Sequence, residues 1–167
     1  KLSKCIGEVG DICVMSAAIG GSSAAWENVF AAIQAVDSSY TRPKYTSNNN
    51  VINDYSQLSI DYCTKVVPGS NLPSLDQLYE IVKAFYGIDV TFPKSGYHAL
   101  DQKAQQNWTN NKSAVYASLG IVSNPAGVDL WSNSYGKGRN FTSTFTYGYT
   151  DGRRNDNGTW VVCIDAN

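Results

Sequence analysis

The four cysteines constrain this chain more than any other feature, because their positions decide which parts of the fold can be joined. They form a close pair, Cys5 and Cys13, and a distant pair, Cys63 and Cys163. None has the Cys-x-x-Cys spacing of zinc or thioredoxin-like sites, and a single histidine leaves little to complete a metal sphere. We therefore predict two disulfides, in any of three connectivities, and an oxidising compartment.

Length and charge narrow the class of protein. A chain of 167 residues can form one domain with a real core, so the disulfides would reinforce the fold rather than replace the core. Only 16% of the residues are charged and the net charge is −1, which argues against nucleic acid as a partner. No apolar run approaches the roughly 20 residues of a membrane span, so we predict no membrane insertion. Without an initiator Met or a signal peptide, we expect a mature product or an excised fragment.

Uncharged polar and aromatic residues take the place of the missing charge. The chain has 11 Tyr and 4 Trp, with many Asn, Ser, Thr and Gly residues. Surfaces of this composition suit extracellular recognition, because rings give contact area and short polar side chains give adaptable hydrogen bonds. The alternative is that Tyr and Asn only reflect the preferences of strands and turns.

Two helices are predicted in the first part of the chain from apolar residues at helical spacing. The first follows the cap signal Ser22-Ser23 and runs to about Val36. The second runs from a cap at Asn53 to about Val66. Residues 1–14 are predicted to be a short loop.

A third helix has the strongest local signal. Ser74 and Gln77 form a capping box at its start, and Gly87 is the expected stop. Residues 99–108 are a weaker helical candidate, and residues 113–122 form a mixed apolar run with no assignment.

The last part of the chain is predicted to be β-structure. Residues 130–132, 140–149 and 160–164 have the composition or alternation of strands. Asp151-Gly152 and Asn157-Gly158 are turn dipeptides between them.

The order of these elements resembles that of C-type-lectin-like domains. The segments that carry the resemblance are Asn53–Cys63, Leu72-Pro73-Ser74 before the third helix, Asp129–Ser132 and Gly158–Ile164. The closing Val-Val-Cys is most similar to the C-terminal tip domain of intimin and invasin type bacterial adhesins. The resemblance covers roughly residues 53–167 and implies an α+β fold, with two or three helices packed on a small, mainly antiparallel twisted sheet.

The resemblance also implies a disulfide pairing and a division of the chain. In that family the first-helix Cys pairs with the last-strand Cys, which here implies Cys63–Cys163 beside a local Cys5–Cys13 bridge. Residues 1–50 would be a loop and helix extension packed on the main domain, and residues 51–167 the C-type-lectin-like domain. A bridge that closes a loop of about 100 residues contributes roughly 4.7 kcal/mol in the chain-entropy model.

The function implied by the resemblance is that of an adhesin tip at the bacterial cell surface. It would bind a host-cell surface protein or glycan, tethered to a larger outer-membrane-anchored protein or fibre. The alternative is a minor pilin or fibre-tip subunit of an extracellular appendage, because the helix over residues 24–38 lies outside the resemblance. Candidate contact residues are the aromatic and Arg side chains typical of hot spots: Trp108, Tyr135, Arg139, Tyr149, Arg153 and Arg154. For Trp108 the alternative is a core position, and for Arg153-Arg154 a solvated turn.

Calcium, other metals and cofactors are not expected. Sugar-binding C-type lectins use Glu-Pro-Asn or Gln-Pro-Asp and Trp-Asn-Asp, whereas this chain has Asn124-Pro125-Ala126 and Trp131-Ser132-Asn133. Asp151, Asn155 and Asp156 could supply some of the oxygens that calcium needs, but such residues are also typical of turns, which we favour. We predict no calcium-dependent sugar site.

No motif indicates a reaction, so we predict that the domain is not an enzyme. The chain has no Gly-rich phosphate loop and no Gly-x-Ser-x-Gly elbow. Formylglycine-generating enzymes share a related fold but need a catalytic Cys pair that is missing here. The remaining alternatives are a Cys nucleophile with His98, or carboxylates that converge in the fold: Glu80, Asp101 or Asp129.

Overall fold

The computed structural model describes residues 4–89, 96–133, 139–144, 147–151 and 154–166. Within them the chain forms four helices, α1 (Ser23–Val36), α2 (Tyr55–Val66), α3 (Leu75–Tyr86) and α4 (Gln102–Leu119). The strands are β1 (Gly7–Val9), β2 (Ile12–Val14), β3 (Ile19–Gly20), β4 (Lys44–Ser47), β5 (Asn50–Asn53), β6 (Ser70–Asn71), β7 (Gly96–Ala99), β8 (Gly127–Ser132), β9 (Arg139–Thr144), β10 (Tyr147–Asp151), β11 (Trp160–Val161) and β12 (Ile164–Asp165). The α+β class predicted from the sequence is confirmed.

Two small sheets and one hairpin hold these strands. The larger sheet has the order β3-β11-β8-β9-β10-β7, the smaller has the order β1-β2-β12-β6, and β4 pairs only with β5. The pair β11–β8 is parallel, and the other described strand pairs are antiparallel. The expectation of mainly antiparallel pairing is therefore confirmed.

Residues 7–14 form a β-hairpin, so the prediction of a loop over residues 1–14 was wrong for this segment. β1 and β2 pair from Gly7 opposite Val14 to Val9 opposite Ile12. The turn between them contains Gly10 at φ +58°, a conformation that glycine adopts at little cost. β2 in turn pairs with β12, so strands near both ends of the chain lie in one sheet.

The predicted division at residues 50 and 51 remains a prediction. That boundary falls inside β5, which pairs with β4 across a two-residue turn. Asn48 and Asn49 occupy this turn at φ 50° and 65°, the left-handed region that asparagine tolerates well.

The three predicted helices are present, with one cap corrected. Ser22 caps α1, and Ser74 and Gln77 form the expected capping box of α3, which ends at Gly87 in the left-handed conformation. The cap of α2 is Asp54 rather than Asn53, because the carboxylate of Asp54 accepts a hydrogen bond from the backbone N–H of Gln57 at 3.0 Å. The helix cap lies one residue later than predicted, because it is the side chain of Asp54 that reaches the backbone N–H of Gln57.

The fourth helix was predicted only in part. α4 joins the candidate segment 99–108 to the unassigned residues up to Leu119 in one helix of 18 residues. Its buried side chains are few and are separated by amide residues, so its apolar stripe is weak: Ala104, Trp108, Val115, Tyr116 and Leu119. The chain turns away at Gly120, where a Cβ would lie 2.6 Å from the Cα of Ala17.

Two clusters of buried side chains form the core. One joins α3, α4 and strands of both sheets, and the other joins α1 and α2 to Trp131 and the Cys63–Cys163 bridge. Both predicted disulfides, Cys5–Cys13 and Cys63–Cys163, are present. The second bridge is fully buried, so it ties α2 to the closing strands inside the core.

Candidate binding surface

The strand register brings three strand termini together at one end of the larger sheet. Ser132 at the end of β8 lies opposite Arg139 at the start of β9. Asn140, the next residue, lies opposite Asp151 at the end of β10. The end of β8, the start of β9 and the end of β10 are therefore neighbours, and we call this region the sheet end.

Two of the predicted contact residues, Arg139 and Tyr149, lie in strands that meet at the sheet end. Arg139 begins β9, and Tyr149 lies two residues before the end of β10, paired with Thr142 and Tyr97 on its two sides. Tyr135, between β8 and β9, and Arg153, after β10, fall outside the described residues. The described register thus places Arg139 at the sheet end and Tyr149 two residues from it on the neighbouring strand.

Arg154 anchors the chain beside the sheet end. Its Nε donates to the Oδ2 of Asp54 at 3.1 Å, and Nη2 donates to the same oxygen. Its backbone carbonyl accepts hydrogen bonds from the N–H groups of Tyr55 at 2.7 Å and Ser56 at 3.3 Å. Main chain and side chain therefore both bind the first turn of α2.

The same arginine stacks on the β4–β5 hairpin. The guanidinium carbon of Arg154 lies 4.0 Å from the ring centroid of Tyr45 in β4. The Arg154 side chain is 35% exposed and that of Asp54 only 7%. A buried carboxylate needs such partners, because its desolvation is otherwise uncompensated. Arg154 is thus a partly buried anchor rather than a solvated turn residue.

Sequence reasoning did not find Asp54 and Tyr45 as partners of Arg154. Asp54 and Arg154 are 100 positions apart, and no local pattern joins them. The one signal that the sequence offers for Asp54 is its position at a predicted helix start, where a carboxylate is favoured.

Trp108 lies in the core, which was the alternative to its being a contact residue. The side chain is 5% exposed and belongs to the cluster between α3 and α4. Lys112 covers it from the same helix, with its Nζ 4.7 Å from the ring centroid. The candidate surface is therefore built without Trp108.

The candidate metal residues occupy turn and strand positions. Asp156 accepts a hydrogen bond from the backbone N–H of Gly158 at 2.9 Å, which is typical of a turn aspartate. Asp151 ends β10, and Asn155 is exposed. In the described part of the chain, no three His, Cys, Asp or Glu side chains are grouped as metal ligands.

The catalytic alternatives have structural assignments as well. All four cysteines are in disulfides, so the alternative of a Cys nucleophile beside His98 is wrong. Asp101 caps α4 by accepting from the N–H of Ala104 at 2.8 Å. Glu80 lies on α3, and Asp129 lies within β8.

Two depressions in the protein surface lie along α4. A groove of about 480 Å³ is lined by amide and hydroxyl side chains: Gln102, Gln105, Gln106, Thr109 and Asn110. A hollow of about 530 Å³ lies between the C-terminal half of the helix and residues 120–124, beside the fully exposed Val122. Both volumes are in the range of ligand sites, roughly 300–1,000 Å³.

Comparison with known proteins gives no relative. No family model matches the chain, and no curated protein or solved structure is significantly similar to it. Among the described helices, none has the length and apolar character that crossing a membrane requires.

Proposed function

We propose that this domain is the tip of a bacterial cell-surface adhesin, with a C-type-lectin-like fold, and that it binds a host-cell receptor without calcium. The order of elements supports this proposal. Cys63 lies near the end of α2, Leu72-Pro73-Ser74 leads into α3, and Cys163 lies between the closing strands β11 and β12. Two disulfides fit an extracellular location, where an oxidising environment maintains them.

The grouping at the sheet end is the observation that carries the proposal. Tyr and Arg are the residue types that concentrate binding energy in protein interfaces. The register brings Arg139, with the end of β8 and the end of β10, to one end of the sheet. In the sequence Tyr135 follows β8 and Arg153 follows β10, so we propose that they act together with Arg139 in recognition, which needs no chemistry.

The anchor at Arg154 supports such a surface. Binding segments lose less conformational entropy on association when the fold already holds them in place. Arg154 fixes the chain directly after Arg153 to α2 and to the β4–β5 hairpin. The proposed contact residue Arg153 therefore precedes, in the sequence, a residue that the fold holds in place.

The pilin alternative has weaker support. It rested on the helix of residues 24–38 as an element for assembly. In the structure α1 buries Trp26, Val29 and Ile33 almost completely in the core cluster that it shares with α2. Its apolar face is occupied within the domain, so we prefer the adhesin.

The proposal is tested by binding of the oxidised domain to cultured epithelial cells, measured by flow cytometry with calcium and with chelator. We expect saturable binding that chelator leaves unchanged. The double variant Arg139→Ala/Arg153→Ala should lower the apparent affinity at least tenfold, since each hot-spot side chain is worth about 1–2 kcal/mol or more.

Lys83→Ala is the matched control for the loss of a positive charge. Lys83 lies on α3, and its side chain is 52% exposed. The control should bind like the parent domain. Binding that disappears with chelator, or that the double variant retains in full, would refute the proposal.

A further inference from the structure

The exposed face of α4 holds amide side chains that the fold does not use. The helix has six Asn and Gln residues in 18 positions and only two charged residues, Lys103 and Lys112. Three of the amides have structural roles: Gln105 donates to the carbonyl of Leu100, and Asn107 and Asn111 donate to the last carbonyls of α3. These three hydrogen bonds connect α4 to α3 and to the chain at Leu100.

The other three amides form a regular row. Gln102, Gln106 and Asn110 follow one another at intervals of four residues, so they lie along one face of the helix. The row is about 12 Å long at a helical rise of about 1.5 Å per residue. Each of the three is exposed, and none donates a side-chain hydrogen bond to another described residue. We call them the amide row.

The groove along this row is uncharged. Its described lining consists of the amide row with Gln105 and Thr109. A primary amide both donates and accepts hydrogen bonds, and so does a hydroxyl group. A ligand dense in hydroxyls and free of charge matches this lining, whereas an acidic or basic ligand would find no counter-charge in it. A protein partner would require apolar or aromatic anchors, and the described lining has none.

We propose that the α4 groove is a binding site for a neutral oligosaccharide. The sugar lies along the helix and exchanges hydrogen bonds with Gln102, Gln106 and Asn110. α4 follows β7, whose last residue Ala99 pairs with Tyr147 at the start of β10, whereas the sheet end contains Asp151 at the other end of β10. The chain therefore enters α4 from the opposite end of this strand pair. The domain would thus recognise a receptor at one place and a sugar at another.

The test uses the oxidised domain, multimerised on streptavidin, on an array of immobilised neutral, sialylated and sulfated oligosaccharides. The best neutral oligosaccharide is then titrated calorimetrically. We expect neutral structures to bind, and the variant Gln102→Ala/Gln106→Ala/Asn110→Ala to lower the affinity at least tenfold. Alanine is a better helix former than either amide, so α4 is expected to stay folded, as circular dichroism would check.

Two control variants show whether a loss of sugar binding belongs to the amide row. Lys103→Ala removes an exposed charge from the same helix outside the amide row and should leave the affinity unchanged. Arg153→Ala should also leave it unchanged, because Arg153 follows β10 in the sequence and is proposed to act with Arg139. The proposal is overturned if only charged oligosaccharides bind, if the triple variant retains full affinity, or if no oligosaccharide binds. Cell binding that depends on the amide row but survives enzymatic deglycosylation would indicate a protein partner instead, and would also overturn it.

Discussion

Replacing Arg154 with alanine should destabilise the domain because Asp54 would lose its main partner. The carboxylate of Asp54 is almost fully buried and would keep one described hydrogen bond, from the N–H of Gln57. A hydrogen bond to a charged group contributes about 1.5–3 kcal/mol, and removing one member of a fully buried pair costs about 3–5 kcal/mol. The Arg154 side chain is 35% exposed, so water can partly replace it as the hydrogen-bond donor to Asp54. We therefore use the lower of these two ranges, about 1.5–3 kcal/mol.

The expected loss in the free energy of unfolding is therefore about 2–3 kcal/mol, including about 0.5–1 kcal/mol for the stacking on Tyr45. For a chain of this length, each kcal/mol shifts the melting temperature by about 2–4 °C, so we expect a decrease of about 4–12 °C. Scanning calorimetry of the oxidised protein gives this shift. Lys83→Ala, which breaks an exposed pair with Asp89, is the control and should leave the melting temperature nearly unchanged.

A double-mutant cycle isolates the pair. Asp54→Asn removes the charge but keeps a side chain that caps helices well. If the pair acts as described, Arg154→Ala should cost about 1–2 kcal/mol less in the Asp54→Asn background than in the parent protein. Equal costs in both backgrounds would refute the assignment of Arg154 as the partner of a buried charge.

Three further predictions concern the core. The variant Cys63→Ser/Cys163→Ser should lose about 4–5 kcal/mol in chemical denaturation, because the bridge closes a loop with a sequence separation of 100; a loss below about 1 kcal/mol would contradict this. Gly7→Ala should cost about 1–3 kcal/mol by thermal melting, because its Cβ would lie 2.3 Å from a backbone oxygen of α4; an unchanged melting temperature would contradict it. Burial raises the pKa of Tyr116 to about 12. The protonated form of Tyr116 therefore contributes fully to the stability of the fold below a pH of about 10, and this contribution is lost as the pH rises to about 12. In melting curves at alkaline pH, Tyr116→Phe should lose less stability over this range than the parent protein.

The elements that could be predicted are those whose signals are local. The capping box of Ser74 and Gln77 and the stop at Gly87 lie within one helix, and the structure has all three. The bridge between Cys63 and Cys163 was predicted only through the resemblance, since four cysteines by themselves allow three pairings. A family pattern can thus supply long-range information that composition lacks.

The features that could not be predicted depend on contacts distant in the sequence. α4 is held in part by hydrogen bonds from its amide side chains to carbonyls of α3 and of Leu100, and its apolar stripe is too weak to predict the whole helix. The β1–β2 hairpin is short and acquires stability from β12, near the other end of the chain. The ion pair of Asp54 and Arg154 joins residues 100 positions apart, so no local pattern predicts it.

The Cys63–Cys163 bridge would have a mechanical consequence if the domain is the adhesin that we propose. All the proposed contact positions, from Gln102 to Arg153 in the sequence, lie between these two cysteines, so the part of the chain that contains them is a covalent ring. A pulling force applied to any point of this ring is shared between its two arms, and neither arm can extend beyond its own length while the bridge holds. Shear could unravel segments outside the ring without releasing the bound ligand.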